Sequence, residues 1–229
     1  VMKNFDEVWV PDVSEEPGYA GSLSHVANSL RPLKFVGALS RFSMPEEGDS
    51  RDEKKRSKEL ESASGKSLRY RYLAVVSGVE PARGRFEQKL SEIFGKIPGR
   101  HAIIQGRPSE GLTSWTEGNI DYFTHLPDEA FARVVNASQW VVSRGGYSTV
   151  MDMAVLRAKC VFVPTPGQYE QIVLARNLSR AGCVRNIPES VLTAENLVQE
   201  TKSLDVGLPE YHGEDLLRLA VEEIFRIKV

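Results

Sequence analysis

The sequence is poor in cysteine, since only Cys160 and Cys183 occur among 229 residues. A disulfide framework needs more cysteines in a smaller chain, so we expect two reduced thiols in a cytoplasmic protein. No apolar run approaches the roughly 18 residues of a membrane span, and no secretory leader is visible. The net charge of −2 supplies neither the basic surface of a nucleic-acid-binding protein nor a polybasic membrane anchor.

Several signatures of nucleotide and metal chemistry are also missing. The chain contains neither the G-x-G-x-x-G turn of the common dinucleotide-binding fold nor the G-K-[ST] end of a P-loop. Ser143 and Ser148 lack the context of a nucleophile elbow. The four histidines are scattered, and none is paired with a carboxylate or a cysteine at metal-ligand spacing, so we expect no metal site.

Beyond residue 70, continuous apolar runs alternate with helical patterns. The expected strands are 72–78, 101–106, 120–126, 140–143, 160–166 and 183–187. The expected helices are 82–97, 127–138, 148–157, 168–182, 193–203 and 214–227. Apolar runs without polar alternation are typical of strands covered on both faces. The pattern therefore predicts an α/β fold with a doubly wound parallel sheet.

The first 67 residues are organised differently. Two short strands are expected at 6–10 and 33–39, with a short helix at 20–30. The first strand comes so early that we expect further protein upstream. Residues 45–67 are dense in both charges and almost free of apolar residues, which is typical of a solvated loop or linker. The regular alternation then defines a main domain over residues 68–229.

Doubly wound sheets bind ligands in the loops that follow the carboxyl ends of their strands. One such loop lies in "VVSRGGYSTVMDMA", residues 141–154, where a strand, two glycines and a helix succeed one another. Gly145 and Gly146 allow backbone N–H groups to approach an anion at the positive end of the helix. Ser148 or Thr149 is the candidate helix cap. A tight turn with a hydroxyl cap explains the same residues, so both interpretations stay open.

Two other loops of this kind carry polar residues. In "VSGVEPARG", residues 76–84, Arg83 lies at a helix start, where a cation is unfavourable unless an anion or a carboxylate offsets it. Arg85, on the same helix, is interpreted as a solvated surface residue. In "VPTPGQYEQ", residues 163–171, amide and carboxylate groups of the first helical turn could hold sugar hydroxyls. An ordinary acid-rich first turn is the alternative.

Taken in order, these loops resemble the C-terminal, donor-binding half of GT-B glycosyltransferases. The resemblance is to the glycosyltransferase family 28 C-terminal domain, the group that includes the lipid II-forming N-acetylglucosaminyltransferases. It rests on four stretches in the family's order: "VVSGVEPAR", "YFTHLPDEAFARVVNASQWVVSRGG", "GGYSTVMDMAVLRAKCVFVPTP" and "YEQIVLARNLSRAG". The fold that it implies is a Rossmann-like GT-B half.

The resemblance implies a donor-binding site spread over these loops. Its members are Gly78, Val79, Phe123, Thr124, Leu126, Arg144, Gly145, Gly146, Thr149, Asp152, Glu170 and Gln171. Thr124, beside Phe123, would meet the uracil through its backbone groups, and Asp152 stands where the family has a ribose-binding glutamate.

The remaining members would contact the diphosphate or the sugar. Gly78 and Val79 would lie beside the pyrophosphate. Gly145 and Gly146 would face it, with Thr149 nearby. Glu170 and Gln171 would bind the sugar or the phosphate end. Arg144 would face either the phosphates or a neighbouring carboxylate.

The sequence also departs from the family's pattern. Asp152 is one methylene shorter than the family's glutamate, and Val79 and Pro81 replace small or hydroxyl residues in the first glycine loop. Ala158 and Lys159 replace a glycine and an apolar residue before a strand. These differences bear on which donor nucleotide is bound, whereas the expected fold does not depend on them.

The function that the resemblance implies is transfer of a hexosyl group from a nucleotide-diphosphate sugar, UDP-linked, to an unknown acceptor. Residues 1–44 resemble the end of an N-terminal GT-B domain and the crossover. The catalytic base would lie in the missing half, so the isolated chain is expected to be inactive. The expected partners are its own N-terminal domain or a separate subunit, and peripheral membrane association would come through that half.

Two alternatives to this function remain. One is a sugar-nucleotide epimerase or hydrolase of the GT-B fold. The other is the donor-binding subunit of a two-component transferase. In each case the nucleotide sugar is a substrate and no cofactor is expected. The reaction is expected to serve a bacterial cell-envelope glycan.

Overall fold

The computed structural model describes residues 5–16, 18–25, 29–42, 70–209 and 216–226. The chain forms two compact units. The first unit comprises Val1–Arg41, Arg144–Val191 and Ser203–Val229, and the second comprises Phe42–Ser143 and Leu192–Lys202. The predicted charged linker at 45–67 lies outside the described residues. The predicted domain boundaries therefore stay a prediction, and each unit is described below by itself.

The second unit contains a five-stranded sheet. Its strands are β3 (Tyr70–Val75), β4 (His101–Ile104), β5 (Ser114–Glu117), β6 (Ile120–Phe123) and β7 (Ser138–Ser143). They lie in the order β5-β6-β4-β3-β7. β3 pairs in parallel with β4 and β7, β4 pairs in parallel with β6, and only the β5–β6 pair is antiparallel. The α/β fold with a mainly parallel sheet is therefore confirmed.

The edge strand β5 was not predicted from the sequence. All four of its residues are exposed, so it shows no apolar face for a pattern to reveal. A two-residue turn with Gly118 at φ 58° connects it to β6. Trp115 stacks on its cross-strand partner Tyr122, with ring centroids 5.0 Å apart and ring planes 5° from parallel. Hairpin geometry and this aromatic pair account for the strand.

Two long connections cross the sheet in opposite directions. Helix α1 (Ala82–Gly95) leads from β3 to β4, and helix α2 (Asp128–Asn136) leads from β6 back to β7. Because parallel crossovers are right-handed, opposite directions place these helices on opposite faces of the sheet. This is the doubly wound arrangement that the sequence predicts. The switch point lies between the carboxyl ends of β3 and β7, where α/β sheets bind ligands.

The core of the second unit is built from continuous apolar strands and one face of α1. Its largest fully buried side chains are Tyr72, Leu73, Phe86, Leu90, Phe94, Ile103 and Trp140. His101 is also fully buried and packs between aromatic rings, 5.5 Å from Tyr72 and 5.0 Å from Phe94. A short helix, α5 (Ala194–Glu200), is followed by Thr201, whose hydroxyl lies 2.6 Å from that of Tyr72.

The first unit contains two short parallel pairs of strands. β1 (Val8–Val10) pairs with β2 (Leu33–Phe35), and β8 (Cys160–Phe162) pairs with β9 (Arg185–Asn186). Its helices are α3 (Tyr147–Val155), α4 (Tyr169–Arg180) and α6 (Leu216–Arg226). The predicted strand at 160–166 ends early, and Pro164, which has no N–H to donate to a ladder, soon follows.

The helix predicted at 20–30 is wrong over the residues that are described there. A 3-10 turn covers only Gly21–Leu23, and residues 26–28 lie outside the described ranges. Gly21 has φ 56°, which a right-handed helix cannot accommodate. Immediately before it, the N–H groups of Tyr19 and Ala20 donate to the side chain of Asp12 instead of to helical carbonyls.

Among the helices that the structure describes, none has the length and apolar content needed to cross a membrane. Cys160 is buried in β8 and Cys183 is partly exposed, and both are free thiols. Burial raises the pKa of both thiols, so they stay protonated and unreactive at neutral pH.

Candidate functional site

The glycine turn of residues 144–146 delivers the start of α3 without a side-chain cap. Gly146 is the N-cap residue, with φ −73° and ψ 154°, and its carbonyl accepts the first helical hydrogen bond from Val150 N at 3.0 Å. The predicted cap at Ser148 or Thr149 is wrong, because the helix begins at Tyr147 and both hydroxyls lie inside its first turn. The first N–H donors of α3 have no partner among the described residues.

The two adjacent glycines have different roles. A Cβ added at Gly145 would lie 3.1 Å from Cγ of Phe162, so β8 leaves no room for a side chain there. A Cβ added at Gly146 would meet nothing within 4 Å. Gly145 is therefore explained by packing, whereas Gly146 keeps the space beside the open end of α3 clear.

Arg144 does not supply the positive charge of this turn. Its guanidinium is 6% exposed and forms an ion pair with Glu189 at 2.7 Å. It also donates to the carbonyl of Val163 at 3.0 Å. Of the two partners considered from the sequence, the neighbouring carboxylate is the one that the structure shows. The anion-binding capacity of this turn therefore resides in its backbone.

Asp152, on α3, is contacted by residues far away in the sequence. Ser40 Oγ donates to its Oδ1 at 2.7 Å, and Arg41 Nε lies 3.5 Å from its Oδ2. Beside it, the N–H of Leu39 contacts Sδ of Met151 at 3.1 Å. Asp152 and Met151 thus together fasten residues 39–41 to α3. A carboxylate has about four lone-pair sites, so it can still accept hydrogen bonds from a ligand.

Glu170 and Gln171, in the first turn of α4, were predicted to bind the sugar or the phosphate end, and their contacts differ. Gln171 organises its own loop, because its Oε1 accepts from Thr165 N at 2.9 Å and its Nε2 donates to Oε1 of Gln168. Glu170 is exposed and makes no hydrogen bond or ion pair within the described part of the chain. Glu170 is therefore the side chain of this pair that is available to a ligand.

Glu170 borders a cavity of about 320 Å³ that lies wholly within the first unit. Five of its lining residues are apolar: Val10, Pro11, Ala20, Leu23 and Leu174. The other three carry polar groups: Ser24, Tyr147 and Glu170. The hydroxyl of Tyr147 donates to the carbonyl of Pro11. Burial, together with the nearby carboxylate of Asp12, raises the pKa of Tyr147 and keeps its phenol neutral.

In the second unit, the loop after β3 presents few side-chain donors. Gly78 has φ 114° and no neighbour within 4 Å of an added Cβ, and Val79 is 78% exposed. Arg83 is buried and donates to Glu80 and Glu87, each at 2.7 Å. The carboxylate explanation of the arginine at this helix start is therefore confirmed. The same contact holds the pKa of Glu80 below its usual value.

The loop after β6 uses backbone groups of Thr124 for its own hydrogen bonds. The backbone of Thr124 is already used, because its N–H donates to Thr113 O at 3.0 Å and its carbonyl accepts from Arg107 N at 2.8 Å. The carbonyl of Phe123 accepts from Gln105 N at 2.8 Å. The N–H of Thr124 is therefore already used in this conformation, whereas its carbonyl keeps a second lone pair. The backbone groups of Leu126 have no hydrogen-bond partner within the described ranges.

The described residues contain no group of three or more histidine, cysteine, aspartate or glutamate side chains that could hold a metal ion. The Nε2 of the buried His101 side chain donates to the carbonyl of Ile97 at 3.1 Å. Its ring is part of the packed core, between Tyr72 and Phe94. Sequence reasoning missed Asp12 and Tyr147, since Tyr147 OH reaches a carbonyl 136 residues away and no local pattern marks such a contact.

Comparison with known proteins places these features in a family. The sequence model of the glycosyltransferase family 28 C-terminal domain matches residues 82–208, more than half of the chain. The matched range includes α1 to α5 and the strands from β4 to β9.

Curated proteins are also similar to this chain in sequence, over part of their length. A UDP-N-acetylglucosamine--N-acetylmuramyl-(pentapeptide) pyrophosphoryl-undecaprenol N-acetylglucosamine transferase of Pasteurella multocida is 30% identical over 138 residues, covering 57% of this chain and 38% of the relative. The Methylorubrum populi protein of the same name is 31% identical over 116 residues, covering 45% of this chain and 30% of the relative. The chain thus spans about a third of the length of these relatives.

Solved structures agree on the fold. MurG of Acinetobacter baumannii superposes with a TM-score of 0.50 and 15% identity, over 68% of this chain and 50% of that one. The spinosyn forosaminyltransferase SpnP superposes with a TM-score of 0.60 and 10% identity, over 96% and 55%. These structures are glycosyltransferases with the GT-B architecture, so the Rossmann-like GT-B half is confirmed. With both the sequence match and the fold in agreement, this chain belongs to the glycosyltransferase family 28 C-terminal domain family.

Proposed function

We propose that this chain is the donor-binding part of a hexosyltransferase and binds a nucleotide-diphosphate sugar with uridine as its base. Membership of the family 28 C-terminal domain supports the class of ligand. The observation that carries the proposal is the uncapped start of α3, beside the clear space at Gly146. Helix starts of this kind bind phosphate through free N–H groups and the positive end of the helix dipole.

The first unit supplies three of the proposed contacts. The N–H groups of Tyr147, Ser148 and Thr149 bind the diphosphate, and Gly146 allows it to approach, whereas Gly145 lets the turn pack against Phe162. Asp152 accepts a hydrogen bond from a ribose hydroxyl in addition to the one from Ser40. Glu170 accepts hydrogen bonds from the sugar. Arg144 and Gln171 support the turn and the loop through their own contacts and do not touch the donor.

The second unit supplies its own candidate contacts. With the backbone of Thr124 already paired, the free backbone groups of Leu126 are the proposed partners of the base. Phe123 and Thr124 hold the preceding loop in place. Gly78 and Val79 remain proposed neighbours of the pyrophosphate, since the loop around them is open.

The chemistry follows from the charge that develops on the donor. As the glycosidic bond breaks, negative charge accumulates on the leaving diphosphate, and fixed N–H donors at α3 stabilise it in the transition state. Attack by the acceptor also requires a base for its hydroxyl proton. We assign no base to this chain, because it spans 38% of the Pasteurella multocida relative. We therefore propose that the isolated chain binds the donor without transferring the sugar.

The acceptor and the cellular setting are proposed by analogy with the relatives. Their names specify a pyrophosphoryl-undecaprenol acceptor, which is lipid-linked. A transferase of this kind would work at the cytoplasmic face of a membrane on a cell-envelope glycan. Association with the membrane would come through an N-terminal half, carried either by the same polypeptide or by a partner subunit.

The test is a titration of the chain with UDP, UDP-N-acetylglucosamine, GDP and TDP, followed by thermal shift and calorimetry. A ligand at 100 times its Kd stabilises the native state by about 2.7 kcal/mol. We expect UDP and its sugar conjugate to raise the melting temperature more than GDP. If no nucleotide produces a shift at millimolar concentration, the proposed function is wrong.

A further inference from the structure

We propose that Asp12 is a positioning residue for the sugar part of the donor, because it builds the wall of the cavity in which the hexosyl group binds. The inference rests on the proposed function and deepens it. The residues that form this wall lie between Val10 and Ser24, outside the range that the family model matches. The family match therefore assigns no role to them.

Asp12 is fully buried and organises a loop of the chain around its carboxylate. Its Oδ1 accepts from Val13 N and Tyr19 N, both at 2.7 Å. Its Oδ2 accepts from Ala20 N at 3.0 Å and from Ser24 Oγ at 2.6 Å. Four hydrogen bonds to one carboxylate satisfy a charge that would otherwise be costly to bury.

The atoms held by Asp12 are also the atoms that shape the cavity. Ala20 and Ser24 donate to Asp12 and line the cavity, and Pro11 precedes Asp12 in the chain and lines it as well. Gly18 allows the loop to pass so closely, since a Cβ there would lie 2.6 Å from Oδ1 of Asp12. The hydroxyl of Tyr147 then ties the carbonyl of Pro11 to the first residue of α3.

The chemistry of the cavity points to a sugar and not to the diphosphate or the base. A volume of about 320 Å³ is at the lower end of the range of about 300–1,000 Å³ for ligand pockets, which suits one ring. Most lining side chains are apolar and suit the C–H face of a pyranose. Glu170, which has no partner within the described residues, accepts from hydroxyls and repels phosphate.

The experiment separates binding of the nucleotide from binding of the sugar. Calorimetry gives the Kd of UDP and of UDP-N-acetylglucosamine, UDP-glucose and UDP-galactose for the wild-type chain, Asp12→Asn and Glu170→Gln. We expect at least one UDP-sugar to bind the wild-type chain more tightly than UDP. In both variants this advantage should fall by about tenfold, because hydrogen bonds to a charged group are lost, while the Kd of UDP stays within about twofold.

Two further variants keep the result interpretable. Glu195→Gln is the matched control, since Glu195 is an exposed acid in the first turn of α5 and does not line the cavity. This control variant should still bind the UDP-sugar more tightly than UDP, by the same factor as the wild-type chain. If Asp12→Asn does not fold, Tyr147→Phe replaces it, because that change removes the hydroxyl that contacts the carbonyl of Pro11 and lies near the carboxylate of Asp12.

Three results would overturn the inference. The first is that no UDP-sugar binds the wild-type chain more tightly than UDP. The second is that the tighter binding of the UDP-sugar survives both in Glu170→Gln and in Asp12→Asn or Tyr147→Phe. The third is that the variants weaken the binding of UDP and of UDP-sugars equally. If UDP itself fails to bind the wild-type chain, the proposed function falls first and the inference falls with it.

Discussion

The substitution Gly146→Ala tests whether the start of α3 binds the diphosphate. The backbone at Gly146 has φ −73° and ψ 154°, which alanine adopts without strain, and the added Cβ has no neighbour within 4 Å. Loss of glycine flexibility stabilises a protein by about 0.4–1 kcal/mol. Alanine is also a poorer N-cap residue than glycine, and this loss of capping offsets a similar amount of that stabilisation. The free energy of unfolding should therefore change by less than about 1 kcal/mol.

The effect on binding should be much larger than the effect on stability. Phosphate oxygens must come within about 2.7–2.9 Å of the N–H donors, and the new methyl group occupies the space through which they approach. Each charge-assisted hydrogen bond that is lost costs about 1.5–3 kcal/mol. Losing one of them weakens UDP binding by about 10- to 150-fold. Urea unfolding measures the stability, and isothermal titration calorimetry measures the Kd.

Gly145→Ala is the matched contrast in the same turn. Its Cβ would lie 3.1–3.3 Å from three atoms of Phe162, so the methyl group overpacks a buried contact. Overpacking of this kind costs about 1–3 kcal/mol. This variant should lose stability and keep its UDP affinity in the folded state. A folded Gly146→Ala chain that binds UDP as tightly as the wild type would refute the assignment of the diphosphate to α3.

Two other predictions follow from buried and paired side chains. Burial lowers the pKa of His101, so the folded state requires the neutral ring, whereas the unfolded chain binds a proton below about pH 6.5. The stability contributed by the neutral ring is therefore fully present above that pH, and the free energy of unfolding falls by up to about 1.4 kcal/mol per pH unit below it. Urea unfolding at pH 7.5 and 5.5 should show this decrease. An equal decrease in His101→Phe would contradict the assignment to His101. For Asp152, we expect Asp152→Ala to weaken UDP binding about tenfold and Ser40→Ala to leave it unchanged, as measured by calorimetry. Equal effects of these two changes would show that Asp152 only fastens residues 39–41 to α3.

Helices and central strands were predictable from the sequence because their signals are local. The apolar positions Phe86, Leu90, Ile93 and Phe94 define α1 by their spacing, and all four are buried. The explanation of Arg83 was also local, since its partners Glu80 and Glu87 lie three and four residues away. The edge strand β5 was missed, because four exposed residues carry no periodic signal.

The availability of the predicted site residues was not predictable in the same way. Arg144 pairs with Glu189, and Asp152 pairs with Ser40, which is 112 residues away in the sequence. The backbone of Thr124 is used by Thr113 and Arg107. A motif shows which residue types occupy a loop, whereas their partners depend on segments that only folding brings together.

The sequence by itself determined the α/β class, most of the elements after residue 70 and the order of the ligand loops that resembles family 28. These properties depend on apolar periodicity and on the succession of motifs, both of which are written along the chain. The tertiary structure decided which groups remain open to a ligand: the backbone at the start of α3, Leu126 and Glu170. It also decided that Asp12 builds a cavity wall, because a buried carboxylate is stabilised only when several donors converge on it, here from residues one to twelve positions away.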